Sequence, residues 1–291
     1  MKTTRQQVKK NLATFYDQSS REYHHWNYLA IKDYSPLRYR QHYIQKMIQN
    51  QHVPRGARIL DVGSGPGELV LWLLREGYSV WGVDISAGMV EEARKTIQEG
   101  GFSCIQQISV GDIENLDFGD EFFDVVVAAG VLEYQKEDGR ALSEMRRVLK
   151  KGGYLILNVT NRYSYVTLSE NVYLWLKRKL ITRAMLNFAK GQILHMGQVT
   201  DFPERRTHSP RQFDKEVVGL GFKKVAYNYF RFSPLPVPFD SIFGFVCGPI
   251  GRYMEGLTNS PVGLAGGGYL VLFMKAEDLP TARRCGGGEA D

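Results

Sequence analysis

Between residues 57 and 159 the chain alternates short apolar runs with segments whose apolar residues recur every three or four positions. The first pattern reads as strand and the second as amphipathic helix. The apolar runs are Ala57–Val62 (ARILDV), Ser79–Val83 (SVWGV), Cys104–Val110, Phe123–Ala129 (FDVVVAA) and Tyr154–Val159. Helical patterns fall at Glu68–Arg75, at Gly88–Glu99 behind a Ser86 cap, and at Asp138–Lys150, after which Gly152-Gly153 turns the chain into the fifth run. FDVVVAA is apolar throughout, as a strand buried on both faces requires. Strands alternating with helices imply right-handed crossovers and a parallel, doubly wound α/β sheet.

The flanks follow other rules. Residues 1–53 read as helical and carry many aromatics, among them Phe15, Tyr16, Tyr23, Trp26, Tyr28 and Tyr34. Pro36 opens a second helix there and Pro54 stops it. So many aromatics need something to cover, which makes this segment a helical cover for the sheet. Beyond residue 160, Val166–Lys190 is one long helical pattern. Ser209-Pro210 starts another helix that ends near Gly221. Phe222–Phe232 and Gly268–Lys275 are strand-like. The expected layout is a cover over 1–53, a core domain over 54–275 with insertions at about 161–209 and 233–267, and a disordered tail over 276–291.

Composition narrows the class. With 291 residues, 43% of them hydrophobic and 23% charged, the chain can bury one large core. The three cysteines form no CxxC pair and no Cys/His cluster, so neither a disulfide framework nor a metal site is expected, and a reducing compartment is. The N-terminus is basic without an apolar core, and no run approaches the ~18 apolar residues of a membrane span, so the expected location is the cytoplasm. A net charge of +6 suits an anionic partner surface. No nucleic-acid-binding motif organises those charges.

The chemistry is concentrated in the loop after the first strand, Asp61-Val62-Gly63-Ser64-Gly65-Pro66-Gly67-Glu68. A glycine turn between strand and helix lets a ligand approach the backbone. A dinucleotide site wants GxGxxG and a pyrophosphate on the helix N-terminus. Here Glu68 takes the third glycine's place, Asp61 and Glu68 bracket the loop with negative charge, and Pro66 removes one N–H donor. Those features suit a cationic ligand such as S-adenosylmethionine, which has a sulfonium and an ammonium group and no phosphate. Asp84, about 20 residues on at the end of the second strand, is placed for ribose hydroxyls. Asp112, after the third strand, can accept from an adenine amino group while Ile113 packs on the ring.

The segments ILDVGSGPGE, VWGVDIS, GDIENLDF, FDVVVAAGVLEY and LKKGGYLILNV resemble the successive motifs of class I S-adenosylmethionine-dependent methyltransferases, in the type 11 group that includes the ubiquinone and menaquinone enzymes. The resemblance implies a Rossmann-like seven-stranded sheet with an antiparallel last strand. It implies that Asp61, Gly63, Ser64 and Gly65 line the methionine end, Asp84 and Ile85 the ribose, Asp112 and Ile113 the adenine, and Gly130 and Val131 the methyl group. Ser35-Pro36-Leu37-Arg38 is similar to an element whose arginine reaches the cofactor carboxylate, which points to Arg38, with Arg40 second. Tyr16 matches an aromatic that caps the cofactor in this group.

Methyl transfer needs an aligned nucleophile and a base only where the nucleophile carries a proton to lose. The fourth-strand motif often ends Leu-Glu-His in the quinone group; here it is Leu132-Glu133-Tyr134. Glu133, Tyr134 and His195 are therefore the candidate catalytic residues, with His24, His25 and His208 as further histidines. No metal is expected. Asp124 is read as a local hydrogen-bonding group. The expected function is methylation of a small lipophilic acceptor at O, C or N. The rivals are a tRNA or other nucleic-acid methyltransferase and a non-catalytic cofactor-binding subunit. A peripheral membrane contact is expected from the basic amphipathic stretch Asn171–Lys190 with Trp175, Lys177, Arg178 and Lys179, and from the apolar 233–267 insertion.

Overall fold

A computed structural model describes residues 4–30, 36–103, 107–180, 205–236, 239, 244–256, 258 and 261–277. Seven strands form one sheet in the order β3-β2-β1-β4-β5-β7-β6. They are β1 Arg58–Val62, β2 Ser79–Asp84, β3 Ile108–Val110, β4 Phe123–Ala129, β5 Leu149–Thr160, β6 Phe222–Phe230 and β7 Gly268–Lys275. β1 to β5 are parallel, and β7 is antiparallel to both β5 and β6. The central strands are dry: Ile59, Leu60, Val125, Val126 and Val127 are each 0% exposed. That burial is why FDVVVAA lacks any polar alternation.

Helices α3 (Glu68–Arg75), α4 (Ala87–Glu99) and α5 (Gly139–Val148) cross between the parallel strands. Ser86 caps α4, its hydroxyl accepting from the Met89 amide at 3.1 Å. The fifth strand starts earlier than its apolar run. Leu149 already pairs with Phe123, and the register then jumps to Tyr154 opposite Val125. The chain makes this excursion through Gly152, whose φ of +71° a side chain would resist. Asp124 plays the local part expected of it, accepting from the Arg58 amide at 2.8 Å and the Lys150 ammonium at 2.6 Å.

The N-terminal segment folds as α1 (Arg5–His24), a π-helical turn (His25–Leu29) and α2 (Pro36–Asn50). The buried face of α2 is Tyr43, Ile44, Met47 and Ile48, one stripe at helical spacing, and it packs toward β6 and β7. α1 lies along α4. Asp17 accepts from the Ser86 hydroxyl at 2.6 Å and from the Gly88 amide at 2.9 Å, so the cover is hydrogen-bonded to the helix start that follows β2. Lys9 of α1 is ion-paired with both Asp112 and Glu114 beyond β3.

Among the described residues three later helices follow: α6 (Tyr165–Leu180), α7 (Pro210–Gly219) and α8 (Gly244–Glu255). The long pattern expected to Lys190 is helical to Leu180; residues 181–204, and with them His195, lie outside the described residues. Most of the tail expected over 276–291 does too. Among the described residues no helix is long and apolar enough to cross a membrane, and no cluster of His, Cys, Asp or Glu could hold a metal ion.

Candidate cofactor and acceptor site

A cavity of about 400 Å³ opens at the carboxyl ends of β1, β2 and β4. It sits where the strand order reverses between β1 and β4, the position at which open α/β sheets bind ligands. Its size is within the range of small-molecule sites. The glycine loop forms one wall. Gly63 has φ +73°, and a Cβ there would lie 2.4 Å from Val131 Cγ1, so the loop after β1 and the loop after β4 meet as bare backbone against side chain.

Asp84 ends β2 with both oxygens already held. Oδ2 accepts from the Gly65 amide at 2.9 Å and Oδ1 from the Ser86 amide at 3.0 Å. A carboxylate has about four lone-pair sites, so capacity remains for a ligand hydroxyl. Burial pushes this carboxyl up, and the Ser86, Gly65 and Ile85 amides oppose the shift. Asp61 is deeper and is pushed up to about 7, chiefly by burial; Arg40 opposes that shift and Asp84 adds to it.

The cover closes the cavity with Leu12, Tyr16, Tyr23 and Tyr28. Arg40 reaches in beneath them, its Nη1 only 2.6 Å from where a Gly130 Cβ would stand. Burial alone would depress its guanidinium; Tyr28, Tyr23, Glu133 and Asp61 around it reverse that. Arg38 is exposed, and its side chain turns to the Tyr28 carbonyl. The two arginines lie about 200° apart on the helix, and only Arg40 continues the inward stripe of Ile44 and Met47. Of the two candidate arginines, Arg40 lines the cavity and Arg38 does not.

Ile85, Gly111 and Ile113 line the cavity on the β2–β3 side, whereas the Asp112 carboxylate is engaged by Lys9 and the Glu114 amide. On the other side, Glu133 is buried and accepts from the Thr160 hydroxyl at 2.8 Å. The Tyr16 and Tyr134 hydroxyls are 3.1 Å apart, and burial holds both phenols well above their ordinary range. Neither is an anion at neutral pH, so both act as hydrogen-bond donors and not as bases. The described histidines are elsewhere. His24 bonds Glu68 at 2.9 Å, and His208 bonds Asp138 at 2.9 Å with Arg206 on the same carboxylate. Neither lines the cavity.

Residues 60–157 match the protein family described as a methyltransferase domain. Over that stretch the chain is thus similar to methyltransferase domains. Over 103 residues it is 40% identical to a phosphatidylethanolamine N-methyltransferase of Cereibacter sphaeroides, covering 35% of this chain and 50% of that protein. Over 142 residues it is 37% identical to a ubiquinone/menaquinone biosynthesis C-methyltransferase of Bordetella avium, covering 46% of this chain and 55% of that one. The chain thus spans about half the length of the curated relatives it matches. Among solved structures, magnesium protoporphyrin IX methyltransferase from Synechocystis with bound SAH has the same fold, with a TM-score of 0.60, 15% identity, and coverage of 92% of this chain and 100% of that one. So does a [4+2]-cyclase, at a TM-score of 0.59, 16% identity and coverage of 93% and 97%. The fold therefore leaves the reaction to be argued from the site.

The residues of the cavity fit the cofactor that the resemblance implies. Among the described residues, Ser64 Oγ and Arg40 Nε are buried without a hydrogen-bond partner, and both residues line the cavity. Buried polar atoms are rarely left so, which marks them for a ligand. The cavity also draws in residues not singled out for the site in the sequence, namely Thr160, Asn158, Arg205 and Arg231. They come from the end of β5 and from the later chain, and only the tertiary fold brings them to the β1–β4 crevice.

Proposed function

We propose that the chain is an S-adenosylmethionine-dependent methyltransferase acting on a small lipophilic acceptor. The observation that carries this reading is Asp84, held in place by the Gly65 and Ser86 amides at the glycine loop and lining the cavity. Asp84 would receive the ribose hydroxyls, Arg40 the carboxylate, Asp61 the ammonium group, and Ile85 and Ile113 the adenine face. Gly130 and Val131 would border the reacting methyl group. When bound, the cofactor supplies an electrophilic methyl on a cationic sulfur.

The acceptor would enter past Thr160, Glu133 and Tyr134. Among the described residues Glu133 is the carboxylate on that side of the cavity, and it would take a proton from an acceptor amine, hydroxyl or activated carbon. Tyr16 and Tyr134 would donate hydrogen bonds and exclude water. The lipophilic character draws support from the two relatives, whose names specify phosphatidylethanolamine and quinone biosynthesis.

Peripheral membrane contact is part of the same reading. Cys247, Gly248, Gly251 and Glu255 turn inward from α8, while Phe245, Val246, Ile250 and Tyr253 are exposed, Phe245 by 78% and Tyr253 by 73%. An exposed apolar helix face suits a lipid surface. The test is to incubate the protein with methyl-labelled cofactor and a membrane-lipid extract, then partition into organic solvent. Label is expected in the organic phase and absent with Glu133→Gln. Label confined to protein or nucleic acid would refute the reading.

A further inference from the structure

Two arginines line the acceptor side of the cavity, and one carboxylate holds both. Arg205 Nη2 is 2.7 Å from Glu170 Oε1, and Arg231 Nη2 is 3.0 Å from Glu170 Oε2. Glu170 belongs to α6 and is not part of the cavity wall. Its carboxylate sits on the two guanidinium groups from behind α6, each oxygen on one arginine. Burial would raise this carboxyl, but Arg231 and Arg205 more than offset it and hold it low.

Arg231 is held in place at a cost. Its φ is +64°, in the left-handed region that a residue with a side chain avoids. The strain is sustained from both sides of the residue. The Arg231 amide donates to Glu255 Oε1 at 2.9 Å, and its carbonyl accepts from the Gly267 amide at 3.0 Å. Backbone strain of this kind persists where a side chain must be aimed. Here it brings Arg231 beside Arg205, two planar forks that match an oxyanion.

We infer that Arg205 and Arg231 form a subsite for an oxyanion carried by the acceptor, and that Glu170 is the protein's own stand-in for that anion. The inference rests on the proposed function and specifies its acceptor: a lipophilic molecule bearing a phosphate ester or a carboxylate near the methylated atom. On binding, the ligand oxyanion takes over the two guanidinium groups and Glu170 turns to solvent, its side chain being already 20% exposed. The device would reject uncharged lipophiles, which cannot displace a paired carboxylate.

The test uses three amphiphiles of similar chain length, octyl phosphate, nonanoate and 1-octanol, titrated by calorimetry into the full chain saturated with S-adenosylhomocysteine. At least one anion should bind tenfold or more tightly than octanol. A preference for octyl phosphate would name a phosphoester acceptor, and a preference for nonanoate a carboxylated one. Arg231→Gln should erase the preference and leave S-adenosylhomocysteine affinity unchanged. Glu170→Gln should tighten the anion at least threefold, because a competitor is removed. If Arg231→Gln fails to fold, the wild-type preference and Glu170→Gln still decide. Equal binding of the three amphiphiles, or weaker anion binding by a folded Glu170→Gln protein, would overturn the inference. Failure of S-adenosylhomocysteine to bind would instead overturn the proposed function.

Discussion

Asp84 accepts the Gly65 amide at 2.9 Å, so the acid that ends β2 and the glycine loop that follows β1 form one rigid unit. Removing the carboxylate should therefore harm more than one ligand contact. Asp84→Ala is expected to weaken S-adenosylmethionine binding by about 1.5–3 kcal/mol, the scale of charge-assisted hydrogen bonds. Calorimetry on a protein with a normal circular dichroism spectrum checks this. Wild-type affinity in that variant would mean that the ribose lies elsewhere.

Gly63 and Gly65 should respond differently to alanine. At Gly63 the new Cβ meets Val131 Cγ1 at 2.4 Å, whereas at Gly65 it meets nothing within 4 Å. Gly63→Ala should lower stability by about 1–3 kcal/mol from overpacking, and Val131→Ala in the same chain should restore part of the loss. Gly65→Ala should cost only about 1 kcal/mol, from its positive φ. Thermal melts of the three variants measure both. Equal losses at the two glycines would argue against the loop geometry.

The pH dependence follows from Asp61. Its carboxyl is pushed up from 3.8 to about 7 in the ligand-free protein, so it is half protonated near neutrality. A cationic ligand beside it favours the ionised form. Affinity for S-adenosylmethionine should therefore fall as pH drops below about 7, by up to about tenfold per unit. The same sign governs stability without ligand. A carboxyl with a raised folded value destabilises the fold above about pH 7, and the penalty fades as pH falls toward 3.8. Asp61→Asn should flatten the binding profile and raise the melting temperature at pH 8. A wild-type affinity independent of pH between 6 and 8 would contradict the assignment.

How far the sequence reaches depends on whether a residue's role is local. The strand at Phe123–Ala129 and the one at Gly268–Lys275 have the bounds their apolar runs predict, because burial on both faces leaves no ambiguity of period. The Ser86 cap and the Asp124 hydrogen bonds are also local. β5 begins at Leu149 and not at Tyr154 because a pairing partner, Phe123, recruits residues that a glycine pair would otherwise turn away. That Arg40 and not Arg38 lines the cavity follows from the helical stripe of Ile44 and Met47, which Arg40 continues. The pairing of Asp112 with Lys9 leaves no trace in its motif, since Lys9 lies more than 100 residues away. The Arg205–Glu170–Arg231 cluster joins three separate segments, and no periodicity encodes it.

The exposed face of α8 predicts lipid binding. Anionic vesicles should sediment more protein than neutral ones, given a net charge of +6. Phe245→Asp with Tyr253→Asp should reduce that binding severalfold without altering cofactor affinity, since neither residue lines the cavity. Equal and negligible binding to both vesicle types would leave α8 without a membrane role.

The central claim is that the crevice between β1 and β4 holds S-adenosylmethionine. Titration calorimetry of the full chain with S-adenosylmethionine, S-adenosylhomocysteine and NAD tests it most directly. The account predicts one site per chain with a Kd in the micromolar range for the first two, about −8 kcal/mol, and no measurable heat with NAD. Binding of NAD at comparable affinity, or no binding of either adenosyl compound by folded protein, would contradict it.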